Sequence, residues 1–341
     1  MSADPSLSVI HGGPDPVSGR RIVTALRLRR RRGTGLLTLE QTPDAGAAVL
    51  VWYADGRTSL LLHCDQPAAA IGLAALDAAR ALVLLPDAGL RLLDAAAAGP
   101  PALQPLPLDC AGGVSAVFAA ADAPAVLLRR DDGGLDIAAL GGAAGAVAVT
   151  SRLPAPELAT GQRISAVLRD ADGRWVVTAD DERRGFQLWR LDPAPDSAQE
   201  VWRALVQDGL RRYAWNAVVH DAVVWGSDVV LAVGTSAAMR GRLFGLRMGG
   251  ELLLLRRDGT LALLCGELRT TPTGNLYPLA DRAACRLRSL DDYTCLAVVD
   301  GRLVAALVHD NGATTLRSFG DDWQSVPAGA LSQPVVAIVG G

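Results

Sequence analysis

Residues 164–191 read ISAVLRDADGRWVVTADDERRGFQLWRL, and residues 293–319 read YTCLAVVDGRLVAALVHDNGATTLRSF. Each stretch sets out an apolar run, an Asp-Gly-Arg turn (Asp172-Gly173-Arg174; Asp300-Gly301-Arg302), a second run, an acidic turn and a third run. The third runs carry Arg190 and Arg317 near their ends, so the two stretches keep register to within one residue. Short aliphatic and β-branched runs punctuated by Asp-Gly read as strands joined in hairpins, because glycine reaches the positive φ that tight hairpin turns require. Helical periodicity is nearly absent, and the reading is all-β.

Held against the rest of the chain, this template finds weaker copies. They run from Ala69 to Asp94 around Asp87-Ala88-Gly89, from Val114 to Leu140 around Asp131-Asp132-Gly133-Gly134, and onward from Asn216 in NAVVHDAVVWGSDVVLAVGT. A sixth copy spans Ile22 to His63 with the turn Asp55-Gly56. Starts at 69, 114, 164 and 216 are separated by 45, 50 and 52 residues, and the longer step to 293 holds insertions at 235–249 and 268–292. Several strands per 40 to 50 residues is the period of propeller blades, which bury their faces by stacking on one another. The expected fold is a single β-propeller domain over residues 1–341 with six blades; seven blades or a two-sheet sandwich are the alternatives. Wholly apolar runs such as Ala81–Leu85 and Leu252–Leu255 then read as strands buried on both faces. The run PVVAIV at 334–339 is placed to add a strand to the first blade and close the ring.

Residues 216–279 resemble a repeat of bacterial β-propeller proteins of uncharacterised function. That repeat has an N-x-A start, a Leu-x-x-Gly-Thr strand, G-[AG]-E-L-[LW]-R, a D-G turn, and G-E-x-R-x-T-P-x-G followed by P-L. The matching positions here are Asn216-Ala217-Val218, Leu231 to Thr235, Gly249-Gly250-Glu251-Leu252-Leu253, Asp258-Gly259, Gly266 to Gly274 and Pro278-Leu279. The resemblance implies the propeller fold and no particular chemistry. LRSFGDDWQSV at 316–326 is similar to the Asp-box turn of sialidase-like propellers but departs from it in the order of Asp and Gly, so that activity does not transfer.

Composition removes whole mechanisms. All 33 basic residues are arginine, and a chain without lysine has no Schiff-base nucleophile, no pyridoxal-phosphate anchor and no phosphate-loop lysine. Against 36 acidic residues the net charge is −3, which gives no global field for nucleic acid. One local exception is Arg27 with Arg29, Arg30, Arg31 and Arg32, which suits phosphate or an acidic partner or is simply a solvated turn. The first ten residues lack the pattern of a secretory leader, no run of about 18 apolar residues is present, and the five cysteines form no C-x-x-C. A cytoplasmic protein with reduced thiols is expected, with no membrane partner.

No nucleophile elbow, H-E-x-x-H, dinucleotide fingerprint or complete calcium loop occurs, and a non-enzymatic protein without cofactor is expected. Asp170-Ala171-Asp172-Gly173 opens like a calcium loop without its later ligands and reads as a hairpin turn. His220 falls at the end of a first strand and His309 at the end of a second, so the two should lie at opposite ends of their blades. No four-histidine metal site with His11 and His63 is expected.

The best candidate surface is built from the insertions, since long loops on a compact scaffold tend to carry function. Arg269, Asn275 and Tyr277 from 268–292, with Arg212, Trp215 and Asn216 at the entry to a blade, are the candidate ligand contacts. Guanidinium forks match carboxylates, and aromatic side chains give contact area at low entropy cost. Trp175, Trp189 and Trp323 sit at repeat positions and read as inter-blade packing. The function expected is a non-catalytic binding or accessory protein for a peptide or anionic small molecule, with a role in a bacterial biosynthetic pathway and a protein partner as further expectations. The alternatives are a funnel enzyme (lyase, hydrolase or cyclase) using His220/Asp221 or Glu267/Arg269, and an assembly scaffold.

Overall fold

A computed structural model describes residues 7–11, 18–44, 46–108, 112–119, 124–142, 147–181, 185–194, 199–206, 217–235, 251–265, 292–309, 313–319, 323–325 and 335–340. Their strands form six four-stranded antiparallel sheets, the blades of a six-bladed β-propeller, and one two-stranded pair. The one helical element among the described residues is a single 3-10 turn at Ala68–Ala70. Within that set no helix is long and apolar enough to cross a membrane.

After β1 (Leu7–His11), blade 1 holds β2 (Arg21–Arg29), β3 (Thr34–Gln41), β4 (Ala48–Ala54) and β5 (Arg57–Cys64). Blade 2 holds β6 (Gly72–Ala75), β7 (Arg80–Leu85), β8 (Gly89–Asp94) and β9 (Leu103–Pro105). Blade 3 holds β10 (Val114–Phe118), β11 (Ala125–Arg129), β12 (Leu135–Gly141) and β13 (Ala148–Pro154). Blade 4 holds β14 (Arg163–Arg169), β15 (Trp175–Asp181), β16 (Gly185–Pro193) and β17 (Glu200–Val206). Blade 5 holds β18 (Ala217–Trp225), β19 (Asp228–Thr235), β20 (Glu251–Leu255) and β21 (Leu261–Cys265). Blade 6 holds β22 (Asp292–Val299), β23 (Arg302–Val308), β24 (Thr314–Phe319) and β25 (Trp323–Ser325). The C-terminal strand β26 (Val335–Gly340) pairs with β1 in a sheet of its own and is not a strand of blade 1's sheet.

Two compact units divide the chain, residues 9–155 and residues 156–341 with 1–8. In the first, every residue of β7 is buried, and its side chains alternate between neighbours. Ala81, Val83 and Leu85 join Leu28, Leu37, Leu39, Leu50 and Trp52 of blade 1. Leu82 and Leu84 join Val126, Leu128, Ala138 and Leu140 of blade 3. A period of two with apolar residues at both phases is how one strand serves two cores, each buried leucine contributing about 1.5–3 kcal/mol. Gly35 has a packing reason, since a Cβ there would land inside the Trp52 indole.

In the second unit Val230, Ala232 and Leu252 of blade 5 meet Tyr293, Leu296, Leu303, Ala305, Leu307 and Phe319 of blade 6. Trp175 and Trp189 are buried as packing residues, with the Arg169 guanidinium 4.4 Å over the Trp175 ring. The Trp323 side chain falls outside the described residues.

Asp-Gly turns mark hairpins, but they do not mark a fixed place in the blade. Asp172-Gly173 and Asp300-Gly301 join first to second strands, Asp87-Ala88-Gly89 and Asp131 to Gly134 join second to third, and Asp55-Gly56 and Asp258-Gly259 join third to fourth. Asp55 and Asp300 take φ of 51° and 50° ahead of Gly56 and Gly301, the pair of positive φ angles that a two-residue hairpin needs. Pairing gives the one-residue difference between the two arginines its meaning. Val176 lies opposite Arg190, whereas Val304 lies opposite Ser318, so Ser318 is the counterpart of Arg190 and Arg317 falls on the other face. Arg302 Nε accordingly donates to Ser318 Oγ at 3.0 Å, and Arg317 Nη1 donates to the Tyr293 hydroxyl at 3.0 Å.

Candidate functional site

The first strands β14, β18 and β22 neighbour one another in order, and each carries a β-bulge near its start. The extra residues are Ser165, His220 and Thr294, all polar; Val23 and Ser115 occupy the bulges of blades 1 and 3. A bulge adds one residue to one strand and re-aims the side chains beside it, which gathers polar groups at this end of the sheets.

In blade 4 the hydroxyls of Ser165 and Thr178 lie 2.9 Å apart. Asp180, on the neighbouring strand, bonds to the Ser165 side chain and accepts the backbone N–H of Val219 in blade 5 at 3.2 Å. Burial pushes its carboxyl up to about 7 despite those bonds. In blade 5 Asp221 Oδ2 accepts the Leu296 N–H of blade 6 at 2.7 Å, and Oδ1 accepts the Ala222 N–H at 2.8 Å. Burial raises this acid to about 6. Next to it in blade 6 the buried Cys295 thiol is raised well above its usual range, first by burial and then by the Asp221 charge, and it bonds the backbone of Ile338 in β26. Thr294 Oγ1 is buried without a hydrogen-bond partner among the described residues.

Chemically, this row ties blades together. Asp180 and Asp221 each hold an amide of the next blade's first strand, which satisfies N–H groups that would otherwise be buried and unpaired. The acid–base pair His220/Asp221 meets a different environment from the one the sequence suggests, because both Asp221 oxygens are engaged by backbone amides. His220 itself corrects an expectation. It lies inside β18 at the bulge, the turn being Gly226-Ser227, and His309 follows β23 beside the start of β22. The two histidines therefore stand at the same end of their sheets, because Asp221 to Trp225 continue the strand where a turn was expected. His309 Nε2 is 3.0 Å from Thr315 Oγ1, and His63 Nδ1 is 3.5 Å from Asp65 on the outer strand of blade 1. Among the described residues no group of three or more His, Cys, Asp or Glu is arranged to hold a metal ion.

At the opposite end of blade 4 lies an ion-pair network. Arg190 binds Asp192 through two nitrogens at 2.7 and 3.1 Å and donates to the Arg257 carbonyl at 2.9 Å. Arg174 joins Asp170, Asp172 and the same carbonyl, while Arg257 returns to Asp172 at 2.8 Å. The Arg257 hydrogen bond is the main reason Asp172 sits below the usual carboxylate range. Asp170-Ala171-Asp172-Gly173 is thus a hairpin turn latched to blade 5.

Arg212, Trp215, Asn216, Arg269, Asn275, Tyr277 and Glu267 lie outside the described residues. Asn216 immediately precedes β18 and Ser289 to Asp291 lead into β22, so the segments 207–216 and 266–291 join the chain at the bulged ends. Sequence reasoning missed Asp180, Ser165 and Thr178. The available signal was the polar residue recurring near the start of first strands, Ser115, Ser165, His220 and Thr294.

No family model and no curated protein matches the chain. Among solved structures it is similar to a candidate 6-phosphogluconolactonase from Bacteroides fragilis, at 10% identity over 94% of this chain and 87% of that one, with a TM-score of 0.49. It is similar to the dihydro-heme d1 dehydrogenase NirN at 14% identity over 99% and 76%, TM-score 0.47. The SapL1 lectin in complex with alpha methyl fucoside gives 12% identity over 92% and 97%, TM-score 0.44.

Proposed function

We propose that this chain is a non-catalytic propeller of the bacterial repeat type, acting in the cytoplasm as one domain over residues 1–341, that recognises a peptide or an anionic small molecule. The observation that carries this reading is the engagement of the acids at the bulged ends. Asp221 has both oxygens on backbone amides and Asp180 holds Val219, so these groups serve the joints between blades. Recognition is then assigned to the segments that enter at the same ends. Arg212, Trp215 and Asn216 would stand before β18, with Arg269, Asn275 and Tyr277 before β22. Two arginines offer forked donors for carboxylate or phosphate, Asn275 and Asn216 add directional hydrogen bonds, and Trp215 and Tyr277 supply flat contact area. Such a protein serves a biosynthetic pathway as an accessory that presents its ligand to a partner.

Calorimetric titration of the full chain with citrate and with a pool of short peptides bearing free carboxyl termini tests this reading. At least one probe should bind, and Arg212→Ala/Arg269→Ala should weaken that probe by tenfold or more. Unchanged affinity in the double variant would contradict the placement, and turnover of a bound compound that is lost in Glu267→Gln would replace it with an enzymatic reading.

A further inference from the structure

The hairpin tip that joins the first two strands of blade 1 is unlike the charged tips of blades 2 and 4. Arg80 of blade 2 rests on Asp77 at 2.7 Å, and Arg174 of blade 4 rests on Asp170 at 2.9 Å. Arg257, in blade 5, has Asp172 of blade 4. Blade 1 instead brings Arg29 to Arg32 and Arg57 to one end of its sheet, where Arg30 takes Asp55 at 2.5 Å; of the neighbouring acids of blade 2, Asp77 is held by Arg80 and two backbone amides and Asp94 accepts the Ala96 N–H. Arg29, Arg31, Arg32 and Arg57 are exposed.

This tip is held in place. The Arg29 N–H donates to the Ala78 carbonyl at 2.6 Å, Arg31 Nε donates to the Ala96 carbonyl at 2.9 Å, and the Arg30 N–H closes the turn on Gly33 at 3.0 Å. One backbone bond and one Arg31 side-chain bond to blade 2 fix the backbone of the turn and the Arg31 guanidinium, so the turn itself needs little ordering when an anion meets it. Like charges held together on a fixed turn repel one another, and an anionic partner relieves that repulsion.

We propose that the blade 1 tip is a docking surface for an acidic segment of a partner protein, separate from the ligand segments proposed above. The patch is short, the whole chain is net −3, and neither 27–33 nor 55–57 contains an aromatic residue on which a base could stack. A nucleic acid would need a longer basic track than one hairpin tip, whereas a run of a few Glu or Asp side chains matches the patch in length and sign. Arginine forks bind carboxylates through two parallel hydrogen bonds.

Fluorescence anisotropy of the full chain with a labelled peptide containing six consecutive glutamates tests the proposal. Binding at 50 mM salt should weaken by tenfold or more at 300 mM, as expected when charges interact across solvent. Arg29→Ala/Arg32→Ala/Arg57→Ala should weaken it by tenfold or more with an unchanged unfolding midpoint, while Arg203→Ala, an exposed arginine of blade 4, should leave it unaltered. Absence of binding at 50 mM salt, equal affinity in the triple variant, or equal loss in Arg203→Ala would overturn the proposal. Tighter binding of a single-stranded 12-nucleotide DNA than of the peptide would overturn the assignment to a protein partner.

Discussion

The Asp221 carboxylate accepts the backbone N–H of Leu296 at 2.7 Å, so a single side chain of blade 5 fixes the first strand of blade 6. Asp180 does the same for Val219 one blade earlier. These joints use acids whose ionisation is opposed by burial, at about 6 for Asp221 and about 7 for Asp180. A folded-state value above the usual 3.8 means that the native protein holds the proton more tightly than the unfolded chain.

Stability should therefore be greatest below about pH 4 as far as these two groups are concerned, and should fall as pH rises through about 6 to 7. Asp180→Asn keeps an oxygen for the Val219 N–H and removes the titration; Asp221→Asn also removes the titration but keeps an acceptor for only one of its two amides, so it carries a pH-independent loss as well. Urea midpoints measured at about pH 4.5 and pH 8 should differ less in these variants than in the parent. Asp221→Ala leaves the Leu296 N–H unsatisfied and should lose about 1–3 kcal/mol at both pH values.

Arg190 and Asp192 form a buried pair, with side chains 4% and 12% exposed. Asp192→Ala leaves a buried guanidinium without its partner and should destabilise the protein by about 3–5 kcal/mol in denaturant titration. Asp172→Ala, at the solvent-facing edge of the same network, should leave the midpoint within repeat error, since exposed pairs add little.

Gly35 faces the Trp52 indole so closely that a methyl group cannot fit without moving the ring. Gly35→Ala should cost about 1–3 kcal/mol by overpacking the joint between blades 1 and 2, read as a lowered denaturant midpoint. Gly33→Ala at the nearby tip, where a Cβ meets nothing, tests strain from its φ of 77° alone.

Blade boundaries were legible because hydrophobic runs and turn residues are local signals. Starts read at 22, 69, 114, 164, 216 and 293 meet first strands beginning at Arg21, Gly72, Val114, Arg163, Ala217 and Asp292. The place of each turn within its blade was not legible, since Asp-Gly favours a hairpin between any two strands. The one-residue difference in spacing between Arg190 and Arg317 was visible in the sequence, and one residue is enough to reverse a side chain in a strand. The bulge at His220 escaped notice because nothing local separates a polar bulge residue from a turn when the strand resumes with Asp221. Asp180 and Asp221 become partners of Val219 and Leu296 only through the stacking of blades, which no short window of sequence contains.

If the segments entering at the bulged ends bind a ligand, they become protected when it is added. Hydrogen–deuterium exchange of the full chain, with and without citrate and the free-carboxylate peptide pool, tests it most directly. An added probe should slow exchange in residues 207–216 and 266–291. Protection confined to other segments, or none with any probe, would contradict it.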